Sequence, residues 1–553
     1  MRRMRLVPAF AFVLLVAACA AEPTQPQAGP AAAGVVASAH PHATAAGITV
    51  LEAGGNAFDA AVAVAAALNV VEPAMSGIGG YGTIMTYHAA DNRVRFLNTS
   101  GRIPAGVNSD AYRAPTPGYA ANRLGAKAVS TPVNLRGWEA LHKEYGSREW
   151  RELFDPAIAL ARDGFVLSEY DAELIGESFE EFPAHARAIY GRENAPLAQG
   201  ERLTQADLAR TLATIAQSGP AAFYEGDIAQ RIDATMRGSG GFLSRSDLQA
   251  AQAEWYDPIK IRYRNVDVVT APPPANTFDF LVRLGIMSTR DVRALGHNSV
   301  DYLHTFAEAT KHGFWVRLRY AGDPEVAPPP LDRLLSEPYW QEQGKLIDPA
   351  KARPFEPPQT GSSGDHTTHF VVADAAGNVV SATQTLGNMF GARIMVEGTG
   401  VWLNNSLAYS TFEPKGNPMD AHAGRHKLSG DCPTILLRDG KPWIALGTPG
   451  GHTIGQTVPQ IIMNIVDFGM TLDQALTAPR ISFAQPDVIL VDRMLPQEIR
   501  DGLLRRGHKL REVWGIGNAT ALAIEYGADG RPARFDGAAD PRGGGTAGVA
   551  SKR

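Results

Sequence analysis

The sequence predicts a layered α/β protein built on antiparallel sheets. Three observations point there. Segments with helical spacing of apolar residues fill most of the stretch from about Leu135 to Leu335. After Thr367 the texture changes to strands. Helices and strands come in blocks on both sides of residue 366, where strict alternation would have suggested a parallel sheet. The chain has 553 residues, 44% of them hydrophobic, enough for two or more domains or one large layered unit. Its net charge is only −5, with acids and bases spread along the chain. No basic stripe marks a nucleic-acid partner.

The N-terminus carries three arginines, Arg2, Arg3 and Arg5, then an apolar run ending in Val16-Ala17-Ala18-Cys19. The run is about a dozen residues long, too short to span a bilayer and the right size for a signal-peptide core. Residues 1–18 are read as that signal. Cys19 resembles the lipidated cysteine of a bacterial lipobox, and residues 19–34, rich in Ala, Pro and Gln, read as a tether. This predicts an exported, periplasmic protein held to a membrane by a lipid anchor only. The other cysteine is Cys432, so a lipidated Cys19 leaves no disulfide.

The elements follow in order. Two helices are expected on either side of Gly54-Gly55, the second from about Asn56 to Val70 and almost solid Ala and Val, which suits close packing between layers. The stretch Gly77 to Gly82 matches a dinucleotide glycine pattern by letter. That motif needs a strand before it and a helix after it, and here the order is reversed. "TIMTYHA" and "RVRFLN" form a hairpin. "LTQADLA" and "LSRSDLQ" look like capped helix starts. "VDVVTAPPPANTF" is a strand running into a proline turn, and Pro349 to Asp365 is a loop. Then come strands "HFVVAD", "NVVSATQT", "ARIMV", "GVWLNN" and "TILLRDGKPWIALG", and a helix in "HTIGQTVPQIIMNIVDFG".

Within the hairpin "THFVVAD"–"NVVSATQT", the midpoint between Thr367 and Thr385 falls on Ala376, inside the turn. A symmetric register sets the two threonines opposite each other, with Cβ atoms roughly 5 Å apart and a hydroxyl–hydroxyl bond within reach. A threonine hydroxyl needs a nearby base to become a nucleophile. Placing it first in a chain supplies one, because an α-amine has a pKa of roughly 7.7–8.0. That requires a cut between His366 and Thr367, where a loop meets the strand.

Longer stretches carry a resemblance. "VASAHPHATAAGITVLEAGGNAFDAAVAVAAALNVVEP", "DLARTLATIAQSGPAAFYEGDIA", "DHTTHFVVADAAGNVVSATQT", "GTGVWLNN", "CPTILLRDGKPWIALGTPGG" and "GAADPRGG" are similar to the gamma-glutamyltransferase (gamma-glutamyltranspeptidase) family of N-terminal-nucleophile hydrolases. The resemblance covers nearly all of the chain after residue 34. It implies an αββα sandwich, two antiparallel sheets flanked by helices. It also implies self-cleavage into a large subunit, 35–366, and a small one, 367–553, that stay together as a heterodimer. Thr367 would be nucleophile and base, Thr385 its hydrogen-bonding partner, and Gly450-Gly451 the oxyanion hole. No cofactor or metal is implied, and the substrate would be a small-molecule amide such as glutathione or another acyl amide.

The substrate-reading positions depart from the family pattern. Where the family has an arginine before Glu-x-Ala-Pro, this chain has Ser100, and Arg102 stands two residues late. The Ser-Ser pair is Ser429-Gly430. The acid expected after "NN" falls on Ala408 or Tyr409, and the asparagine after "TL" is Gly387, with Asn388 next to it. Losing an arginine fork and an acid removes charge-assisted bonds commonly worth about 1.5–3 kcal/mol each. Gamma-glutamyl amides and other acyl amides therefore both stand as substrates, the second as in a cephalosporin-acylase-like relative. Arg102, Ser429, Gly430, Asn388 and Tyr409 are the candidate pocket residues. The alternative of another class is a non-catalytic surface lipoprotein. His422, His426, Asp431 and Cys432 have spacing that a helix could use for zinc, but the surrounding sequence is loop-like. Cys432 reads as a packed residue.

Overall fold

The structure is a computed structural model that describes residues 32–113, 121–355, 366–410 and 415–552. The leader with Cys19 and the end of the Pro349–Asp365 loop, from 356, lie outside the described residues.

Two antiparallel sheets form the centre. The first has seven strands in the order Thr546–Ser551, Ala32–Ser38, His366–Asp374, Val379–Gly387, Tyr81–His88, Arg93–Asn98 and Glu254–Tyr256. The second has six, in the order Pro532–Ala539, Thr520–Tyr526, Lys441–Gly447, Thr434–Arg438, Val266–Thr270 and Ile259–Tyr263. Side chains alternate between faces, as the strand period of two requires. Val35, Ala37, Val371, Ala373 and Val379 meet Ile435, Leu437, Ala445 and Leu522 between the sheets. Val36, Phe370, Val372 and Val380 turn to the helices on the first sheet's outer side. Leu436, Ile444 and Leu446 turn to helices Phe278–Ser288, Val300–Tyr320 and Ile454–Val466 on the other side. The result is the expected αββα sandwich.

Helix Ala57–Val71 is buried along its whole length. Small Ala and Val side chains make that possible, since no face carries bulk or charge toward solvent. Asn56 caps it, accepting from the N–H groups of Phe58 and Asp59, while Asp59 accepts from the N–H of Asn56. Both sheets mix strands from before and after residue 366, so a cut there leaves each piece woven into both sheets.

Some expectations differ from the structure. Ser244 caps its helix with Asp247 as a capping box, but helix Ala206–Ser218 follows Gln205 and has no side-chain cap. Gln205 is instead used in tertiary bonds, accepting from the Tyr190 hydroxyl and donating to the Val70 carbonyl. "ARIMV" and "GVWLNN" shrink to a two-residue ladder, Met395–Val396 with Val401–Trp402. Positive φ at Phe390, Arg393, Gly398 and Gly400 keeps the chain turning there.

Candidate active site

Hairpin pairing runs Thr368 with Gln384 through Val372 with Val380, the symmetric register that places Thr367 against Thr385. The register shifts at Thr367 itself, between the Thr368–Gln384 and His366–Gly387 pairs, and the hydroxyl contact shows that Thr367 still lies beside Thr385. The Thr367 hydroxyl donates to Thr385 Oγ1 at 3.2 Å. The Thr385 hydroxyl donates to the His366 carbonyl at 2.7 Å and accepts from the Gly387 N–H at 2.8 Å. Its one proton therefore points at the carbonyl between His366 and Thr367. Thr368 faces the other way, and its hydroxyl donates to Glu72 at 2.6 Å. Burial raises the Glu72 carboxyl to about 7. Thr367 is 3% exposed and Thr385 1%. His366 is pulled down to about 4, by burial and then by the Arg393 charge.

Glycines clear the space around this pair. A Cβ on Gly80 or Gly82 would strike the carbonyl of Thr385 or Thr383 at 2.3 or 2.2 Å. The Gly77–Gly82 run thus serves close backbone approach. Gly387 has φ +103, and a Cβ there would lie 2.0 Å from Asn405 Oδ1, so a larger residue does not fit. The Asn388 N–H donates to the same Asn405 oxygen at 2.8 Å.

The second sheet delivers Gly450 and Gly451. The Leu446 carbonyl accepts from Ser381, whose partner is Val371; Gly447 lies against the ring of His369, whose partner is Thr383. Strand Lys441–Gly447 therefore advances toward the threonines before it turns. Gly450 and Gly451 follow with φ of +124° and +54°, at the entry to helix Ile454–Val466. Among the described residues neither N–H has an acceptor. Two bare donors at a helix start are suited to an oxyanion.

The pocket residues divide. Arg102 does not turn inward. Its guanidinium bonds Glu254 at 3.2 Å and Glu325 at 3.0 Å, and the side chain is 42% exposed. The backbone gives the reason: Arg102 pairs with His426 in an antiparallel bridge, so both side chains take one face. The next residue, Lys427, takes the opposite face. Its ammonium lies 4.0 Å from the centre of the Tyr81 ring and 4.4 Å from that of Tyr409, and donates to the Leu428 carbonyl. Tyr81 is the register partner of Thr385. Its hydroxyl is driven well up by burial. Thr385 offsets a little of that rise, although no well-formed bond joins the two hydroxyls. Ser429 is buried with its carbonyl accepting from the Asn276 N–H, and its hydroxyl is unpartnered. Gly430 opens onto the Tyr409 ring, 3.8 Å from where a Cβ would be. Burial raises the Asp431 carboxyl to about 7 and lowers the Lys427 ammonium to about 7.

Lys427 and Tyr81 escaped the sequence reading, and Asp431 entered it only as a metal ligand. The one signal was a lysine at 427 among polar neighbours, which usually marks a solvated position. His426 is not paired with His422. It bonds Asp323 at 2.9 Å and Glu254 at 2.8 Å. Cys432 is buried against the second sheet's helices.

The profile of the family described as Gamma-glutamyltranspeptidase matches residues 43–550. This chain belongs to the gamma-glutamyltranspeptidase family. It is 36% identical to the glutathione hydrolase proenzyme of Pseudomonas sp. (strain A14), over 81% of each chain. It is 34% identical to the acylase ACY 1 proenzyme of Pseudomonas sp. (strain SE83), over 91% of this chain and 94% of that one. Among solved structures, cephalosporin acylase from Bacillus halodurans superposes with a TM-score of 0.85 at 28% identity, covering 97% and 99% of the two chains. Gamma-glutamyltranspeptidase of Helicobacter pylori covers 60% of this chain, with a TM-score of 0.56 at 30% identity. Membership makes the chain an enzyme of the N-terminal-nucleophile type and removes the binding-module reading.

Proposed function

We propose that the chain cuts itself between His366 and Thr367 and then uses Thr367 to transfer the acyl group of a gamma-glutamyl or related amide. The observation that carries this reading is the hydroxyl relay from Thr367 to Thr385 to the His366 carbonyl. Thr385 accepts the proton side of the nucleophile and polarises the carbonyl to be attacked. Thr367 Oγ1 adds to the His366 carbonyl carbon, the C–N bond breaks, and the nitrogen takes the proton. The ester so formed is hydrolysed by water, leaving Thr367 with a free α-amine.

That amine, with a pKa of roughly 7.7–8.0, then serves as base for the same hydroxyl. Attack on a substrate amide forms a threonyl ester and releases the amine half with the proton. The N–H groups of Gly450 and Gly451 receive the oxyanion. Preorganised donors of this kind typically contribute about 3 kcal/mol each. Water or an amine takes the acyl group, and the large and small subunits remain a heterodimer.

A second reading within the family is an acylase with a non-glutamyl acyl group. It is supported by Arg102 facing away and by the absence of an acid at 408–409. We also propose export by residues 1–18 and a lipid anchor on Cys19; loss of membrane fractionation in Cys19→Ala checks it.

The deciding test of the cut is intact mass. Wild type should give two fragments, the smaller beginning at Thr367, and Thr367→Ala one uncut chain. A wild-type chain that stays whole after folding removes the base and sinks this reading.

A further inference from the structure

Lys427 is 2% exposed, and among the described residues it has no ion pair. Asp431 attracts it without touching it. An ammonium stripped of water and left without a carboxylate is costly to a fold. Around it are other buried groups with unmet capacity: the Tyr81 hydroxyl, the Ser429 hydroxyl and Asp431 Oδ2. The set adjoins Thr385 through Tyr81, and Gly430 keeps side-chain bulk out of it.

We propose that Lys427 binds the far carboxylate of the acyl group, so that the substrates are monoamides of a short dicarboxylic acid, and that Asp431 takes the ammonium when the acyl group is gamma-glutamyl. The inference rests on the threonine reading above and deepens it. The two tyrosine rings flank the ammonium, and the Leu428 carbonyl takes one of its three N–H donors, which leaves two to offer an anion. Ser429 and Tyr81 supply hydroxyl donors to the same carboxylate. An arriving carboxylate gives the buried cation the bonded partner that the described residues do not supply. Arg102 takes no part, because it is fixed on the opposite face by Glu254 and Glu325.

The test compares three anilides in one enzyme preparation: glutaryl, gamma-glutamyl and the uncharged valeryl. Ratios of kcat/KM cancel the fraction of folded enzyme. Wild type should prefer the glutaryl over the valeryl substrate by on the order of a hundredfold, the worth of a charge-assisted hydrogen bond in a dry site. Lys427→Met, and Lys427→Gln should the first fold poorly, should bring that ratio close to one. Asp431→Asn should lower the gamma-glutamyl to glutaryl ratio and leave the glutaryl to valeryl ratio high. An enzyme that cuts itself yet treats glutaryl and valeryl alike, or keeps its preference in both Lys427 variants, overturns the assignment and spares the threonine reading. If the chain does not cut itself, calorimetry with glutarate decides the assignment alone. Binding by wild type that is lost in Lys427→Met supports it, and equal binding or none overturns it.

Discussion

His426 and Lys427 are neighbours, each about 2% exposed, and their charges are pushed in opposite directions. Burial pulls the His426 imidazolium down, but Glu254 and Asp323 bond both ring nitrogens, and the net shift is upward. Burial pulls the Lys427 ammonium down to about 7, and a single acid that makes no contact does not restore it. Both side chains are nearly inaccessible to solvent, yet the outcomes are opposite: two bonded carboxylates hold the His426 charge, whereas Lys427 sits deeper, has no bonded carboxylate among the described residues and feels the Arg317 charge as well. The His426 side, with Arg102, Glu254, Glu325 and Asp323, is a closed set of partners. The Lys427 side is an open one, as a site that waits for a ligand should be.

Substitutions should separate the two. On a Thr367→Ala background, where the chain is expected to stay whole, His426→Leu should have the largest effect. It removes the imidazole from the buried Asp323, leaving that carboxylate, among the described residues, only two backbone N–H bonds, and should lower stability by about 3 kcal/mol in urea unfolding. Lys427→Met should act with the opposite sign and raise stability by about 2 kcal/mol, since it removes an unpaired buried cation. A fall of similar size would mean that the fold itself needs the ammonium. Arg102→Ala should cost no more than about 1 kcal/mol, and less at high salt, because its ion pairs are half exposed.

The pH dependence sharpens the same contrast. Lys427 has a folded pKa of about 7 against 10.5 unperturbed, so the unfolded chain binds the extra proton between those values. Its contribution makes stability rise with pH across that window, and Lys427→Met should flatten the rise. His426 is shifted upward, so its contribution is present in full below pH 6.5 and is lost as pH climbs through the folded value. Glu254 is held near 2, first by the His426 bond, and its contribution fades as pH falls from 4.5 toward 2. Unfolding midpoints of the parent, His426→Leu and Lys427→Met from pH 2 to 10 check all three signs. Parallel curves for parent and Lys427→Met would mean that Lys427 titrates as a solvated lysine.

The threonine end of the candidate site was legible in the sequence because it is built by local rules. A hairpin has one turn and one register, so numbering alone set Thr367 against Thr385 and put both threonines on one strand pair. The glycine pair after a strand and the all-small helix Ala57–Val71 were readable for the same reason: the backbone demand shows in the residue type. The acyl end was not legible. Arg102 was the only arginine near the expected place in sequence, and nothing local says that it bridges to His426, more than three hundred positions away. That long-range pairing fixes which of two adjacent residues faces out and which faces in. By itself, then, the sequence determined the layered fold and the pairing of the Thr367 and Thr385 hydroxyls, through short-range periodicity and turn geometry. Only the tertiary structure decided that Lys427 is buried beside Tyr81 and Tyr409, because side-chain direction on an irregular segment depends on the partner it pairs with.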